Sequence, residues 1–297
     1  MDLGSCLRLL SLSAIWGGSF LFMRIGAPVL GPAWLMEGRV GSAALFLAVV
    51  AVLCGQGLQA RRHWRPCLFM GLVNSALPFL LFGYAAQTLS ASLLSVLNAF
   101  SPIWGALIAA AWTRTPLTAR TMAGLALGLV GVAVLVGFDG VTGEPGAFGA
   151  ILAALGATLL YGIATNYAKS VRGVTPLALA HGSMWAATLM LAPALPFFPP
   201  ASAPGPGVLA AVLALGVVCS GLAYLLYFRL IADIGAAPAL TVTYLIPVFG
   251  ILWGWLFLGE PLGWRTLAGT GVVILGAALV TGFSPRMFFR PKEAANA

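Results

Sequence analysis

The fold is decided by residues 98–137, NAFSPIWGALIAAAWTRTPLTARTMAGLALGLVGVAVLVG, which return at residues 243–282 as TYLIPVFGILWGWLFLGEPLGWRTLAGTGVVILGAALVTG. The two stretches align without a gap at an offset of 145 residues, and twelve of the forty positions are identical. The same offset places the region around Trp16 on the region around Tyr161. Because one offset serves both ends of the unit, the pattern indicates an internal duplication.

The composition predicts a chain that is solvated by lipid. Of the 297 residues, 61% are hydrophobic and 7% are charged, and the mean hydropathy is +1.01. Soluble domains carry about a quarter charged residues, so this chain lacks the polar surface that water requires. The first apolar run passes Trp16 without a small-x-small cleavage site. We therefore interpret it as a mature helix rather than a signal peptide.

Ten apolar runs are long enough for a helix to cross a membrane. They lie near 7–25, 33–53, 67–87, 92–112, 120–138, 147–168, 176–196, 208–230, 237–258 and 265–283. Each copy of the duplication then holds five spans, and an odd number makes the second copy enter the membrane from the opposite side. We predict an all-α integral membrane protein with ten transmembrane helices arranged as two inverted-topology five-helix repeats. The repeats are predicted at 1–140 and 146–285, followed by a basic cytoplasmic tail at 286–297.

The basic residues predict the orientation of these helices. With a cytoplasmic N-terminus, twelve of the fifteen Lys and Arg residues lie inside, and Arg24, Arg39 and Arg265 lie outside. This asymmetry follows the positive-inside rule and predicts that both termini lie in the cytoplasm. The expected location is a bacterial-type inner membrane, which the chain crosses several times. Topology thus explains the net charge of +8, and no nucleic-acid partner is expected. The four dispersed cysteines have no metal-ligand spacing, so no metal, disulfide or cofactor is expected.

Three predicted helices place a proline four positions after a polar residue. The pairs are Asn74 with Pro78, Asn98 with Pro102, and Thr243 with Pro247. Proline inside a helix leaves the carbonyl four residues earlier without its hydrogen bond, and hydrocarbon offers no other partner. Because inverted-repeat transporters bind substrate near the midplane between the copies, we predict that all six residues border a central substrate cavity. The alternative is that the prolines only kink the helices while the Asn side chains bond to neighbouring helices.

Aromatic and hydroxyl side chains at helical spacing supply predicted walls for this cavity. They are Ser13 and Trp16 on the first helix, Thr158 and Tyr161 on the sixth, Ser220, Tyr224 and Tyr227 on the eighth, and Tyr84 and Tyr244 elsewhere. Aromatic rings with a polar handle suit a cargo that has an apolar body and polar ends. The alternative for Tyr84 and Tyr227, which lie near the ends of spans, is a role as interfacial anchors.

Four short motifs occur in order along the chain. They are Trp16-Gly17-Gly18-Ser19-Phe20, Ser101-Pro102-Ile103-Trp104-Gly105, Ile246-Pro247-Val248-Phe249-Gly250 and Leu258-Gly259-Glu260-Pro261-Leu262. Together they resemble the EamA-type branch of the drug/metabolite transporter superfamily, across essentially the full chain. Within it, the pattern is similar to bacterial exporters of the YddG kind, which are associated with aromatic and other neutral amino acids. The first copy departs from the family pattern by carrying Thr115 where the second carries Glu260.

The predicted function is that of a secondary transporter, which exports small neutral or zwitterionic solutes by alternating access. Amino acids, including aromatic ones, are the first expectation for the cargo. Phosphorylated cargo is disfavoured because no Lys or Arg is expected in the middle of a span. The alternative is efflux of quaternary cations, which aromatic rings such as Trp16 bind through cation–π contacts. An enzyme is not expected, because the chain has no HExxH, Walker A or dinucleotide-binding motif.

Coupling and assembly have two interpretations each. The carboxylates are expected in loops, termini or span ends, so no central acidic proton carrier is predicted. His181 is a possible coupling residue because imidazole titrates near neutrality, and a structural histidine is the alternative. The glycines Gly124 and Gly128, and Gly269 and Gly271, predict close helix packing, either inside the scaffold or in a possible homodimer.

Overall fold

The structure, a computed structural model, describes residues 3–57, 60–142 and 145–281. Every regular element in these ranges is helical. The α-helices are α1 (Leu3–Leu53), α2 (Ala60–Met70), α3 (Leu77–Ala85), α4 (Ala91–Asn98), α5 (Ser101–Thr113), α6 (Ala119–Thr142), α7 (Ala147–Ala168), α8 (Pro176–Leu191), α9 (Pro206–Leu213), α10 (Ala223–Ile234), α11 (Ala236–Ala239), α12 (Val242–Leu258) and α13 (Trp264–Thr281). The predicted tail at 286–297 lies outside the described residues.

The longest helix, α1, consists of two helical segments that meet at Gly31. This residue has φ 69° and ψ 169°, a conformation that glycine adopts readily and other residues avoid. Pro32 follows and has no N–H group that would need a helical partner. A Cβ built on Gly26 would lie 2.5 Å from a methyl carbon of Leu35, so the two segments pack against each other just beyond the break.

Seven helical stretches among the described residues are long and apolar enough to cross a membrane. They are Leu3–Leu53, Arg62–Ala85, Ala91–Thr113, Ala147–Ala168, Pro176–Phe197, Pro206–Ile234 and Trp264–Thr281. Two shorter apolar helices cover Ala119–Leu135 and Val242–Leu258. The break at Gly31 divides the first stretch further. Ten crossings stay a prediction, because two of the helices are shorter than the seven full-length stretches.

Repeat-related glycines bring α6 and α13 into close contact. A Cβ built on Gly124 would lie 2.6 Å from the carbonyl oxygen of Gly276. One built on Gly131 would lie 3.0 Å from the carbonyl oxygen of Gly269. The offset of 145 relates Gly124 to Gly269 and also Gly131 to Gly276, so the contact is reciprocal. Because the start of α6 lies beside the end of α13, the two helices run antiparallel.

The prediction of close packing at glycine is therefore confirmed for Gly124 and Gly269. Gly128 also packs closely, since a Cβ built there would lie 2.7 Å from the terminal methyl of Ile103. A Cβ built on Gly271 would meet nothing within 4 Å in the described part of the chain, so Gly271 makes no close contact inside the scaffold and its alternative place in a homodimer stays a prediction.

A second reciprocal contact joins the two halves. A Cβ built on Gly17 would lie 2.7 Å from the Cβ of Phe249, where α1 packs on α12. A Cβ built on Gly162 would lie 2.9 Å from the Cβ of Trp104, where α7 packs on α5. The offset relates Gly17 to Gly162, and it relates Trp104 to Phe249. Each half thus supplies one glycine-bearing helix that packs on a helix of the other half.

Two π-helical segments occupy repeat-related positions. The first, Gly71–Ala76, joins α2 to α3, and the second, Ala214–Leu222, joins α9 to α10. Adding 145 to the first segment gives 216–221, which lies inside the second. A π-helix inserts one extra residue into a helical turn, and such bulges are frequent at functional sites. These segments carry Asn74 and Ser220, two of the predicted site residues.

Candidate functional site

A cavity of about 240 Å³ lies between the two halves of the chain. This volume suits a small solute. Eight of the fifteen substrate-binding residues predicted from the sequence line the cavity: Trp16, Asn74, Asn98, Tyr161, Ser220, Tyr224, Tyr227 and Thr243. The wall also contains Thr165, which shares the helical face predicted from Thr158 and Tyr161, and three polar residues that the sequence analysis did not assign to the cavity, which are Ser19, Arg39 and Ser101. Thr165 lies one helical turn after Tyr161, so helical periodicity was sufficient to find it.

Aromatic rings form the apolar part of the wall. The rings of Trp16 and Tyr227 lie 5.3 Å apart between centroids, so Tyr227 packs inside the protein beside the cavity. Phe82 lies 5.6 Å from Phe20 and 6.1 Å from Tyr161 in the same measure. Each of these two groups combines rings from both halves at the cavity wall, and such a wall suits a cargo with an apolar body.

Two polar pairs cross from one half to the other at the cavity wall. The Asn74 side-chain amide donates a hydrogen bond to the Tyr224 hydroxyl at 2.9 Å. The Arg39 Nε donates a hydrogen bond to the Ser220 hydroxyl at 3.0 Å. Ser220 in turn donates its hydroxyl proton to the carbonyl of Leu215, five residues earlier, as the π-helical segment allows. All four side chains of these pairs line the cavity, so its polar groups lie at the junction of the halves.

Arg39 corrects the expectation that no basic residue lies in the middle of a span. It belongs to the second segment of α1, is only 6% exposed, and lines the cavity rather than the external surface. The guanidinium carbon lies 3.7 Å from the centroid of the Phe79 ring. The expectation failed because Arg39 lies only six residues from the start of the predicted span at 33, where a basic residue is also compatible with the external surface. A charged residue inside a predicted span is itself a signal of function.

The other seven predicted site residues do not line the described cavity. Four of them are not prolines. Ser13 and Thr158 are buried, and each donates its hydroxyl proton to a carbonyl one turn earlier in its own helix, at 2.8 and 2.7 Å. Tyr84 is 47% exposed at the outer surface. Tyr244 is buried and hydrogen-bonds to the hydroxyl of Thr281 on α13. None of these four side chains borders the cavity that the structure describes.

The three predicted prolines also stay outside the cavity lining. Pro102 lies in the first turn of α5, so it starts a helix instead of interrupting one. The Asn98 carbonyl accepts a hydrogen bond from the Ser101 hydroxyl at 2.7 Å, which replaces the missing helical bond. Pro78 lies in the first turn of α3, directly after a π-helical segment, while Pro247 lies inside α12.

His181, the possible coupling residue, and Glu37, a carboxylate for which no coupling role was predicted, both lie within helices. His181 is buried, accepts a hydrogen bond from the Trp185 indole at 2.8 Å, and does not border the cavity. Its Nδ1 has no partner in the described part of the chain. Glu37, expected near a span end, lies within the second segment of α1, and its Oε2 is buried without a partner among described residues. Glu37 lies six residues after the break at Gly31, near the start of this segment, which agrees with the expected position near a span end.

Glu260 of the second half accepts hydrogen bonds from the first half at the start of α4. Its carboxylate accepts hydrogen bonds from the backbone N–H groups of Ala91 and Ser92, at 2.7 and 2.9 Å, and from the Ser92 hydroxyl at 2.5 Å. These N–H groups begin α4 and have no helical acceptor. A carboxylate at a helix N-terminus is also favoured by the helix dipole. Glu260 of the second half therefore caps a helix of the first half.

The helices and the cavity together define an all-helical membrane protein with a solute-sized cavity between two halves. The chain belongs to the EamA-like transporter family, whose model matches residues 3–137 and again residues 148–282. The resemblance found in the sequence is thereby confirmed. The family is one of transporters, so the chain is a transporter and not an enzyme.

Several curated proteins are similar to this chain over most of their length. A "Probable terminal-alkyne amino-acid exporter" from Streptantibioticus cattleyicolor is 26% identical over 282 residues, which cover 95% of this chain and 93% of the relative. An uncharacterized protein of Pseudomonas aeruginosa is 30% identical over 264 residues, which cover 86% of each chain. A solved crystal structure superposes with a TM-score of 0.68 at 18% identity, covering 97% of this chain and 99% of that chain. This likeness shows a shared fold.

Proposed function

We propose that this chain is a secondary transporter that exports small neutral or zwitterionic solutes, amino acids including aromatic ones above all. The observation that carries the proposal is the position of the cavity. Its two polar pairs, Arg39 with Ser220 and Asn74 with Tyr224, each join one half of the chain to the other. A site at such a junction is exposed to each side in turn when the halves rock, which is alternating access.

The contacts of α6 with α13 support two inverted repeats, at 1–140 and 146–285. These helices are related by the offset of 145 residues and run antiparallel, as the pairing of Gly124 with Gly276 and Gly131 with Gly269 requires. A two-fold axis that relates antiparallel neighbours lies perpendicular to both of them. If the helices cross a bilayer, that axis lies in the membrane plane and each half has the opposite orientation. Ten crossings, with the break at Gly31 separating the first two, complete this arrangement.

The inverted arrangement is tested by labelling two repeat-related positions. In a cysteine-free background, Arg120→Cys and Arg265→Cys should react with a membrane-impermeant maleimide from opposite faces of the membrane. Arg120 should be cytoplasmic and Arg265 external, as expected for cytoplasmic termini in a bacterial inner membrane. Labelling of both positions from the same face would refute the inverted repeats, because an odd number of crossings must separate the halves.

Amino acids fit the chemistry of the cavity wall. The rings of Trp16, Tyr161 and Tyr227 accept an apolar side chain, while Asn74 and Thr243 supply hydrogen-bonding groups for polar ends. The name of the Streptantibioticus relative, an amino-acid exporter, supports the same class of cargo. Quaternary cations, the alternative cargo, fit less well, because the guanidinium of Arg39 at the same wall repels a positive charge.

Flux from proteoliposomes tests the cargo directly. Vesicles that contain the purified protein should exchange internal radiolabelled phenylalanine and leucine for external amino acid faster than empty vesicles. A panel of amino acids and one quaternary cation, tetraphenylphosphonium, then separates the two cargo classes. Saturable flux of the cation without flux of any amino acid would overturn the proposal.

Coupling and assembly are tested in the same vesicles. If His181 couples transport to protons, a proton gradient should drive flux in the wild type and lose that effect in His181→Ala. Flux that responds equally in both proteins would exclude the histidine. The proposed homodimer should appear on chemical crosslinking in lipid, and recovery of monomer alone would remove it.

A further inference from the structure

We propose that the Arg39 guanidinium is the binding group for a carboxylate on the transported molecule, so the cargo class is restricted to organic acids with an apolar body, α-amino acids among them. This inference rests on the proposed function, and it names the chemical group that the cavity selects. The claim concerns specificity, because the aromatic wall alone would accept neutral molecules and would also attract cations through cation–π contacts.

The first argument is the unbalanced charge of Arg39. Its contacts with other described side chains are the hydrogen bond to Ser220 at 3.0 Å, the Phe79 ring at 3.7 Å and the Met23 sulfur at 3.8 Å. No carboxylate among the described residues pairs with it. A guanidinium has five N–H donors, and the hydroxyl of Ser220 accepts only one of them. A buried charge without a counter-ion has a large desolvation cost. An anionic group that enters the cavity therefore binds beside the guanidinium, where it supplies the counter-ion.

The second argument is that Arg39 is held in one orientation. The Phe79 ring stacks on the guanidinium, and Ser220 accepts from Nε. The Ser220 hydroxyl proton is committed to the Leu215 carbonyl at 3.0 Å, so its lone pairs are the part that faces Arg39. With Nε bonded to Ser220 and one N–H of Nη1 directed at the Met23 sulfur at 3.8 Å, the donors left for a ligand at the cavity wall are those of Nη2 and the second N–H of Nη1. Paired nitrogens of a guanidinium match the two oxygens of a carboxylate.

The third argument is that the charge breaks the symmetry of the repeat. The offset of 145 relates Arg39 to Met184 on α8, which is completely buried and apolar. It also relates Ser220, the partner of Arg39, to Ser75, whose hydroxyl has no partner among the described residues. The repeat-related pair thus retains a serine, Ser75 of the first half, but has the apolar Met184 of the second half in place of the cation. A cavity with one cation on one side binds a carboxylate-bearing cargo in a single orientation.

Competition for phenylalanine exchange in proteoliposomes tests this inference. The competitors are 3-phenylpropionate, which keeps the carboxylate and lacks the amine, and phenylalaninamide, which keeps the amine and lacks the carboxylate. In the wild type, 3-phenylpropionate should compete at least about tenfold better than the amide, since hydrogen bonds to charged groups contribute on that scale. Equal competition by the amide would overturn the proposal.

The decisive variant is Arg39→Met, which installs the residue of the repeat-related position. The apparent affinity for phenylalanine should fall by about 10- to 100-fold, and the preference for 3-phenylpropionate should disappear. Arg39→Lys should be intermediate, because it keeps the charge and loses the paired donors. The matched control, Met184→Leu, should leave affinity unchanged. Unaltered affinity in Arg39→Met would refute the assignment.

Thermal unfolding separates a binding role from a structural role. Replacing an unpaired buried charge by an apolar side chain of similar length is neutral or stabilising, so Arg39→Met should unfold at or above the temperature of the wild type. A clearly lower temperature would make Arg39 a structural residue and overturn the proposal.

Binding without transport keeps this inference distinct from the proposed function. A ligand that binds the folded protein raises its unfolding temperature. In detergent, 3-phenylpropionate should stabilise the wild type and not Arg39→Met, whereas phenethylamine should stabilise neither. If this pattern holds while no amino acid is transported, the proposed function fails and the carboxylate site stands. If 3-phenylpropionate stabilises neither protein, or both equally, the carboxylate site fails.

Discussion

Replacing Glu260 by glutamine should loosen the connection between the two halves of the transporter. The wild-type carboxylate accepts three hydrogen bonds, two from the N–H groups that begin α4 and one from the Ser92 hydroxyl. Glutamine keeps one acceptor oxygen and presents an NH₂ group to the other donors, and it removes the charge that favours a helix N-terminus. With hydrogen bonds to charged groups contributing about 1.5–3 kcal/mol each, we expect a loss of about 2–4 kcal/mol in the free energy of unfolding.

Thermal unfolding in a mild detergent, followed by tryptophan fluorescence, measures this loss. At roughly 2–4 °C per kcal/mol, the midpoint for Glu260→Gln should fall by about 4–16 °C. The repeat supplies a matched control, because the offset of 145 relates Glu260 to Thr115. The Thr115 hydroxyl is exposed and contacts the hydroxyl of Thr113, so Thr115→Val should shift the midpoint by less than about 2 °C.

A double-mutant cycle with Ser92→Ala tests the mechanism rather than the magnitude. If the carboxylate and the Ser92 hydroxyl act through their mutual bond, the double variant should be less destabilised than the sum of the single variants, by about 1 kcal/mol. Equal midpoints for Glu260→Gln and Thr115→Val, or strict additivity in the cycle, would refute the reasoning. The capping role of Glu260 would then have to be abandoned.

Two further outcomes follow from the packing. Gly17→Ala should lower the unfolding midpoint, because its new Cβ would lie 2.7 Å from the Cβ of Phe249, and overpacking of this kind costs about 1–3 kcal/mol. The adjacent Gly18→Ala should be neutral or slightly stabilising, since its Cβ would meet Trp253 at an ordinary 3.6 Å and alanine favours helix; the reverse order of midpoints would contradict the described helix packing. In detergent, a bulky maleimide should label the exposed Cys54 of the native protein, whereas the buried Cys67 should be labelled only after denaturation. Mass spectrometry of digested peptides measures both sites, and labelling of Cys67 in the native protein would contradict its burial.

Much of the architecture is readable from the chain alone. The spacing of the apolar runs predicted an all-helical membrane protein, the duplication between 98–137 and 243–282 predicted its two repeats, and the four short motifs carried its resemblance to the family. The runs and the motifs are carried by residues that are near one another in sequence. An apolar run must bury its backbone polar groups in a helix when it enters lipid, so its fate does not depend on distant contacts.

The site was predictable only in part, because helical periodicity gives the face of a residue and not its depth or surroundings. Ser13 and Trp16 share one face of α1, yet Trp16 borders the cavity and Ser13 bonds back to its own helix. Three residues rise about 4.5 Å along a helix, which is enough to leave a cavity of this size. The same limit applies to Thr158 and Tyr161 in the second half.

Hydrophobicity, repetition and short motifs are properties of residue order, so the amino-acid order is sufficient for a repeated, lipid-solvated helical chain that resembles the EamA-like family. Only the tertiary structure decided that Arg39 faces Ser220 across the junction and that Glu260 caps α4, because both contacts join residues more than 160 positions apart. Such contacts depend on how each helix is rotated and how closely glycines such as Gly17 allow it to approach its neighbour. That rotation is set by packing against the other half, and no local pattern records it.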